Sequence, residues 1–382
     1  MNCADEKLMR RLAFASYRNV TLGTARELQA RGAGPDAFFS DSATSLAART
    51  GLKPEYFDDR TRAEAIRKAA AEMEFIAAGN IRAIFCDDPL YPERLHLADD
   101  APAMLYVLGD CSLNPRYSVA IVGTRHATAY GAAFTAELVR DLARALPEGL
   151  MIVSGLAYGI DIAAHSAALA QGIPTGAVLA HGLNTIYPAD HRAKAMQMVR
   201  DGGFLATEYT SRDRTHRGNF LARNRIVAAL ADAVVVVESD LRGGAMATAR
   251  LASAYSREVF ALPGRVSDAY SRGCNALIAA QTARIVRSAD DILDVLGWQA
   301  ADAPPAQLAF SFDIDPEKTR ILRALREAPD VGVNELCTSL AIPYARISAM
   351  LFELEMDDLV AAIPGGRFAL TADANDFIDK NV

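Results

Sequence analysis

The sequence predicts an α/β fold: an extended Rossmann-like sheet, doubly wound and mostly parallel, flanked by a helical domain and a winged helix. From about residue 81, short and almost continuous apolar segments alternate with helical stretches, which is typical of parallel strands buried on both faces. Residues before 80 have helical periodicity without strand alternation. After a segment rich in alanine and proline, three helical stretches precede a hairpin with a glycine turn, which is the order of elements in a winged helix.

These patterns divide the 382 residues into four parts, in keeping with the two or three domains expected for this length. Residues 1–79 are predicted to form a helical domain of the SAM or helix-hairpin-helix type, 80–297 the sheet domain, 298–314 a linker and 315–382 the winged helix. The predicted strands of the sheet domain are 81–85, 105–108, 118–122, 150–154, 176–180, 204–206, 233–238, 258–262 and 284–286.

The first part contains one candidate for a phosphate-binding turn. Residues 19–24 followed by 25–28 could be the turn and second helix of a helix-hairpin-helix, in which glycine N–H groups hold a phosphate. The stretch has a single glycine, so plain helical packing is the favoured interpretation.

The predicted winged helix is acidic, which argues against recognition of duplex DNA. Residues 315–382 contain seven Lys or Arg against twelve Asp or Glu, and Arg346 is the one basic residue of the third helix. A helix that enters duplex DNA needs basic residues for the phosphates. A protein-contact or regulatory role is therefore predicted for the winged helix.

Overall composition excludes several classes of protein. The net charge is −7, so a globally basic nucleic-acid binder is excluded although a local basic stripe is not. The five cysteines are far apart without a C-x-x-C motif, which argues against zinc and disulfides. The charged N-terminus lacks the core of a signal peptide, and no run of 18 uncharged apolar residues predicts a membrane span. We expect a cytoplasmic protein.

The chain is organised around residues 118–131, where a buried strand meets a glycine turn and then a helix. Such a unit presents backbone N–H groups to an anion, and Arg125 follows the turn where a guanidinium could grip phosphate oxygens. The stretch lacks the second glycine of a dinucleotide-binding fingerprint. It also lacks the Gly-Lys-Ser/Thr that ends a Walker A loop. A phosphate site without a nucleotide cofactor is therefore predicted, and the alternative is a tight turn with a solvated arginine.

Four loops that contain glycine, hydroxyl or arginine residues lie at predicted strand carboxyl ends, where open α/β sheets bind ligands. Together they would form an extended phosphate-binding surface. The candidate residues are Gly123, Thr124, Arg125, Ser154, Gly155, Arg223, Asn224, Arg225, Gly243, Gly244 and Thr248.

A basic segment accompanies these loops. Residues 192–225 contain eight Lys or Arg and three Asp or Glu, with Tyr187, Tyr209 and Phe220 in or beside the segment. Basic residues interleaved with rings are typical of single-strand binders, in which charges follow the backbone and rings stack on bases. The alternative is a solvated basic loop.

Catalysis has little support in the sequence. Asp161 and His165 are four residues apart on one helix face and could pair, but no nucleophile or metal-ligand cluster accompanies them. A non-enzymatic protein with no metal and no cofactor is predicted.

Many ordered motifs resemble those of the DprA/Smf family of bacterial DNA-processing proteins. They include Val-Ala-Ile-Val-Gly-Thr-Arg at 119–125 and Val-Ser-Gly-Leu-Ala-Tyr-Gly-Ile-Asp at 153–161. Further matches lie at 91–92, 187–188, 208–209, 220–226, 243–249, 262–264 and 273–278. The resemblance covers about 80–287, and some family members carry similar flanking domains.

The resemblance implies sequence-independent binding of single-stranded DNA, a homodimer formed through the sheet domain, and delivery of the RecA recombinase in natural transformation, without a membrane partner. The resemblance also implies that Arg125 is the arginine that binds phosphate in this family. The family often has a basic residue soon after the Tyr-Pro motif, for which Arg192 or Lys194 is the candidate. Two departures are Gly-Thr-Arg for the usual Gly-Ser-Arg and Gly-Gly near 243 for the usual Ser-Gly.

Two other functions stay open as alternatives. A Rossmann-class nucleotide phosphoribohydrolase would need a catalytic glutamate on the helix after its glycine motif, and the stretch after Gly243 and Gly244 has none. A winged-helix regulator of duplex DNA would need a basic recognition helix.

Overall fold

The computed structural model describes residues 3–298 and 315–371, apart from 329, 358, 364 and 365. The chain divides into two compact units, Met1–Ala301 and Asp302–Val382. Across the described residues, no helix combines the length and the apolar character that crossing a membrane requires. Most of the predicted linker lies outside the described residues.

The first unit begins with five helices packed around aromatic side chains. Phe38 meets the rings of Phe14, Tyr17 and Phe57 edge to face at centroid distances of 4.9–5.5 Å, the arrangement that aromatic pairs prefer. The helices are α1 Cys3–Ser16, α2 Leu22–Ala30, α3 Pro35–Ser40, α4 Ala43–Thr50 and α5 Asp59–Gly79.

The candidate phosphate turn of this helical domain is occupied by the protein itself. The backbone N–H groups of Leu22 and Gly23 donate to the carbonyls of Ala101 and Asp99 at 2.7 and 2.8 Å. Thr21 caps α2 by accepting from the Thr24 N–H group. The turn therefore packs against the sheet domain, as the helical-packing interpretation expects.

The same unit contains a nine-stranded mixed sheet with the order β1-β2-β6-β5-β4-β3-β7-β8-β9. The seven strands β3 to β9 pair in parallel with their neighbours in this order, while β2 pairs antiparallel with both β1 and β6 at one edge. The strands are β1 Arg82–Phe85, β2 Met104–Leu108, β3 Tyr117–Val122, β4 Leu150–Ser154, β5 Thr175–Val178, β6 Phe204–Thr207, β7 Ala233–Val236, β8 Glu258–Ala261 and β9 Arg284–Ile285.

Helices cover both faces of this sheet, so the central strands are buried on both sides. All six residues of β3 are buried, which explains why the strand is mostly apolar and carries no charge. The helices are α6 Ala129–Ala145, α7 Ile160–Ala170, α8 Arg192–Arg200, α9 Arg217–Ala229, α10 Gly244–Ala254, α11 Arg272–Ala279 and α12 Asp290–Leu296. The predicted α/β architecture is confirmed.

The second unit is a winged helix, which is also confirmed. Its core is formed by Ile321, Leu325, Leu336, Ile347 and Leu351. Its antiparallel strands follow the order β10-β12-β11. The elements are α13 Pro316–Glu327, β10 Val331–Gly332, α14 Val333–Leu340, α15 Tyr344–Met356, β11 Val360–Ile363 and β12 Arg367–Leu370.

Candidate nucleic-acid interface

The turn after β3 is held by its two neighbouring loops. The Thr124 N–H group donates to the carbonyl of Glu238 at 2.6 Å, and the Thr124 carbonyl accepts from Ile160 at 3.1 Å. A β-carbon at Gly123 would lie 2.6 Å from Cγ1 of Ile160, so the close approach requires glycine. Arg125 extends from this turn into solvent.

The N-terminus of α6 is already satisfied by a buried carboxylate. Glu238 accepts from the Thr128 N–H group at 2.9 Å and from the Thr128 hydroxyl at 2.5 Å, and Thr128 caps the helix at Gly131. The prediction that this helix N-terminus faces a bound anion is therefore corrected. In this loop, the group that remains available to bind an anion is Arg125 and not the end of the helix.

Three predicted contact residues lie beneath the rim and not on it. The Ser154 hydroxyl is buried and donates to the Ile121 carbonyl at 2.6 Å. Arg223 is buried, and its Nη1 donates to the carbonyls of Gly155, at 2.7 Å, and Val178. Burial lowers the pKa of Arg223 and raises that of Asp161, and attraction between their charges opposes both shifts. Ser154, Gly155 and Arg223 thus support the floor of the site.

The loop after β7 leads into α10 and contributes backbone to the rim. Gly243 is the N-terminal cap of α10, and open space faces Gly244. The Asn224 side-chain amide donates to the Gly244 carbonyl at 3.4 Å. Thr248 reaches the same space although it is almost fully buried.

These loops surround a cleft of about 750 Å³ at the carboxyl ends of β3 and β7. Arg125, Arg217 and Arg242 line it and are exposed. Within the described residues none of the three forms a salt bridge with a carboxylate. The cleft therefore has a positive wall inside a protein whose net charge is negative.

Aromatic side chains lie between these charges. Tyr187 and Phe220 meet edge to face with centroids 5.9 Å apart. His126 and Tyr270 stack at 6.2 Å, and Tyr187 is half exposed. Charged groups and partly exposed rings thus alternate around the cleft.

Besides the buried Ser154 and Gly155, three more of the predicted residues do not line this cleft. Arg225 points away from it and pairs with Glu208 at 2.5 Å in a mostly buried contact. Burial raises the pKa of Glu208, and the Arg225 charge opposes that rise. Arg192 and Lys194 lie in the first turn of α8 and are not among the lining residues.

Lining residues absent from the sequence-based candidates include Arg217 and Arg242, together with His126, Leu221, Ser239, Asp240 and Tyr270. His126, Ser239 and Asp240 directly follow Arg125 and Glu238, so the strand-end rule that selected their neighbours could have found them. Tyr270 belongs to the segment between β8 and α11, and tertiary packing alone brings it to the cleft.

Asp161 and His165 of α7 do not form a catalytic dyad. His165 is buried, and its Nδ1 lies 2.7 Å from the Thr175 hydroxyl. Asp161 accepts from the Ala157 N–H group at 3.3 Å. Burial lowers the pKa of His165 to about 3. In the part of the chain that the structure describes, no group of three or more His, Cys, Asp or Glu side chains could hold a metal ion.

Comparison with protein-family models assigns both units. Residues 82–297 match DNA recombination-mediator protein A, and residues 299–366 match the DprA winged-helix domain. The chain belongs to the DNA recombination-mediator protein A family. The resemblance to DprA/Smf proteins is therefore confirmed.

Relatives and solved structures agree with this assignment. The chain is 36% identical to a putative DNA processing protein DprA of Mycobacterium tuberculosis, over 86% of this chain and 85% of the relative. It is 35% identical to Protein Smf of Escherichia coli, over 76% and 78% of the two chains.

Two solved family structures share the fold. The Streptococcus pneumoniae DNA processing protein A superposes with a TM-score of 0.64 at 30% identity, covering 77% of this chain and 98% of that one. The Helicobacter pylori protein, whose structure concerns its single-stranded DNA binding mode, gives a TM-score of 0.50 at 34% identity, covering 56% and 95%.

Proposed function

We propose that this protein binds single-stranded DNA without sequence preference in the cleft at the carboxyl ends of β3 and β7. The observation that carries the proposal is the cluster of three exposed arginines, Arg125, Arg217 and Arg242, among partly exposed rings. Arginines neutralise successive phosphates, and rings stack on bases of any identity.

The alternation of rings and charges favours a single strand over a duplex. Tyr187 and Phe220 offer ring surface in the cleft, and stacking on them requires bases that are not already stacked within a helix. The Helicobacter pylori relative, which is described as a single-stranded DNA binder, supports the same choice.

The contacts beneath the cleft favour binding without catalysis. Asp161 and His165 are buried, and Asp240 pairs with Arg272 at 3.2 Å. The helix α10, which follows Gly243, carries no glutamate, so the acid or base that a phosphoribohydrolase needs is missing from that position.

Membership of the family supports a wider role. We propose that the protein acts in the cytoplasm as a homodimer formed through the sheet domain, protects incoming single strands, and helps to load RecA during transformation and recombination. These partners rest on the family membership and the motifs, while the DNA contact rests on the cleft.

The test is fluorescence anisotropy of labelled oligo-dT and of a matched duplex at two salt concentrations. The variants are Arg125→Ala and, as a control with the same charge change, Arg144→Ala in the last turn of α6. We expect tight, salt-sensitive binding of the single strand. Arg125→Ala should weaken it and lower the salt slope by about 1, while Arg144→Ala should bind like wild type.

Two results would contradict the proposal. Equal affinity for single strand and duplex would remove the strand preference, and an unchanged affinity and salt slope in Arg125→Ala would exclude Arg125 as a phosphate contact.

A further inference from the structure

One side of the cleft is supported by two loops that also touch the helical domain. We call residues 179–188, after β5, and 208–216, after β6, the cleft wall. The first loop carries Tyr187, and the second leads directly into α9 with Arg217 and Phe220. Neither residues 208–216 nor the described residues of the helical domain line the cleft themselves.

The main polar contact between the two is made by Glu72 of α5. Its side chain is 2% exposed. One carboxylate oxygen accepts from the Ser211 N–H group at 2.9 Å, and the other accepts from the Ser211 hydroxyl at 2.6 Å. Both oxygens of one buried carboxylate thus hold one residue of the cleft wall. Hydrogen bonds to an ionised acceptor are stronger than neutral ones.

The two loops of the wall are joined to each other and to α9. A β-carbon at Gly182 would lie 2.8 Å from the carbonyl carbon of Thr210, so the loops pack backbone to backbone. The Asn219 side-chain amide donates to the carbonyls of Ala180, at 3.2 Å, and Arg214, at 3.5 Å. A displacement at Ser211 is therefore transmitted to the first turns of α9.

An apolar contact connects the same partners. Leu183 of the cleft wall packs against the cluster formed by the helical domain and the β1–β2 edge, which includes Leu12, Ala69 and Tyr106. The helical domain thus touches both loops, one through Glu72 and one through this cluster.

A cavity leaves the second loop room to move. It has a volume of about 180 Å³ and lies between α5, β2 and residues 208–213. The Tyr106 hydroxyl on its lining is buried without a hydrogen-bond partner. On the side of the cavity, close packing does not support the loop, and the Glu72 carboxylate is the polar contact through which the helical domain holds it.

We propose that the helical domain holds the cleft wall in the conformation that binds DNA, with Glu72 as the positioning residue. The inference rests on the proposed function, since it assigns a second domain a part in the same binding event. It concerns affinity for the strand and not the folding of the sheet.

The experiment measures oligo-dT affinity of the full chain, well below its unfolding temperature, for Glu72→Ala and Glu74→Ala. Glu74 is exposed on the same helix, so the control makes the same charge change. We expect Glu72→Ala to weaken binding by about five-fold or more, the lower end of typical coupling between sites, and Glu74→Ala to match wild type. Glu72→Gln should restore much of the affinity because its amide can still bond Ser211.

Two further measurements separate positioning from loss of stability. Hydrogen exchange should accelerate in residues 208–217 of Glu72→Ala. In an Arg217→Ala background the effect of Glu72→Ala should shrink, since a double-mutant cycle reports coupling between the two sites. Ser211→Ala removes one of the two hydrogen bonds without altering α5 and should give a smaller loss of affinity.

The outcomes distinguish a failure of the positioning role from a failure of the proposed DNA binding. If wild type binds oligo-dT and Glu72→Ala binds equally well, the positioning role is excluded and the cleft proposal stands. An additive double-mutant cycle would likewise exclude action through the wall. If wild type does not bind oligo-dT, both proposals fall.

Discussion

The guanidinium carbon of Arg125 lies 5.4 Å from the centroid of the Phe220 ring. The two residues come from different loops, the turn after β3 and the first turns of α9. A cation over a ring gains about 0.5–1 kcal/mol at an exposed site. The contact places the charge that we propose to bind phosphate beside the ring that we propose to stack on bases, so the two form one unit.

This pairing predicts that the two residues affect binding in different ways. Phe220→Ala should weaken binding of oligo-dT by about 1–3 kcal/mol, the usual contribution of one stacked base, with little change in salt slope. Titrations at several salt concentrations would measure both quantities. Phe352→Ala, at an exposed ring of α15, is the control and should bind like wild type.

Arg223 is predicted to act on stability and not on strand contact. Replacing it with Met leaves the buried carbonyls of Gly155 and Val178 without their donor, at a cost of about 1–3 kcal/mol for each unsatisfied group. Denaturant unfolding should show a clear loss of stability in Arg223→Met and almost none in Arg125→Ala. Equal stability of the two variants would contradict the supporting role.

Gly159 joins the loop after β4 to the Arg125 turn, and its φ is +78°. A β-carbon there would lie 2.7 Å from the carbonyl carbon of Arg125. Gly159→Ala should therefore lower both thermal stability and DNA affinity. Gly172 has a similar φ of +68° with nothing near its β-carbon position, so Gly172→Ala should show only the backbone cost, about 1 kcal/mol. A Gly159→Ala variant no worse than Gly172→Ala would refute the close packing.

Burial of neutral His165 predicts a loss of stability in acid. The Thr175 hydroxyl donates to the Ile152 carbonyl, so it accepts from Nδ1 of His165, and Nε2 is left as a buried acceptor without a partner. The pKa is lowered from 6.5 to about 3. Below pH 6.5 the unfolded chain gains a proton that the folded chain does not, so this residue costs stability as pH falls toward 3, at about 1.4 kcal/mol per pH unit.

The measurement is the free energy of unfolding between pH 7 and pH 4 for wild type and His165→Asn. The variant is expected to be less stable at pH 7 but to lose less stability on acidification. Parallel curves for the two proteins would show that His165 does not titrate in this way.

The sequence was sufficient for the architecture and for one end of the cleft. Apolar strand segments and strand-end glycines predicted that Arg125 and Gly244 meet at one rim, because strand direction alone determines which loops meet. The prediction of a third strand-end loop at 223–225 is wrong, since these residues lie within α9, from which Asn224 reaches the cleft. The sequence could not show that Arg217 is exposed and Arg223 buried, because both belong to the same basic segment. Helical periodicity directs one into solvent and the other beneath the loop of Gly155, and that assignment depends on how α9 packs.

The same limit applies to Glu238 and Glu72. Neither residue belongs to a recognisable sequence motif. Their roles depend on partners far along the chain, Thr128 for Glu238 and Ser211 for Glu72. Such long-range hydrogen bonds leave no local pattern for sequence analysis to detect.

The antiparallel edge of the sheet has a consequence for how the chain can be divided. On one face of β1 and β2, Phe85, Met104 and Tyr106 are buried against Leu12, Ala13 and Ala69 of the helical domain. A fragment that began at residue 80 would bring these side chains into water as one apolar patch. Exposed patches of this kind promote association. Truncation at this boundary should therefore yield an aggregating product and not a smaller working protein.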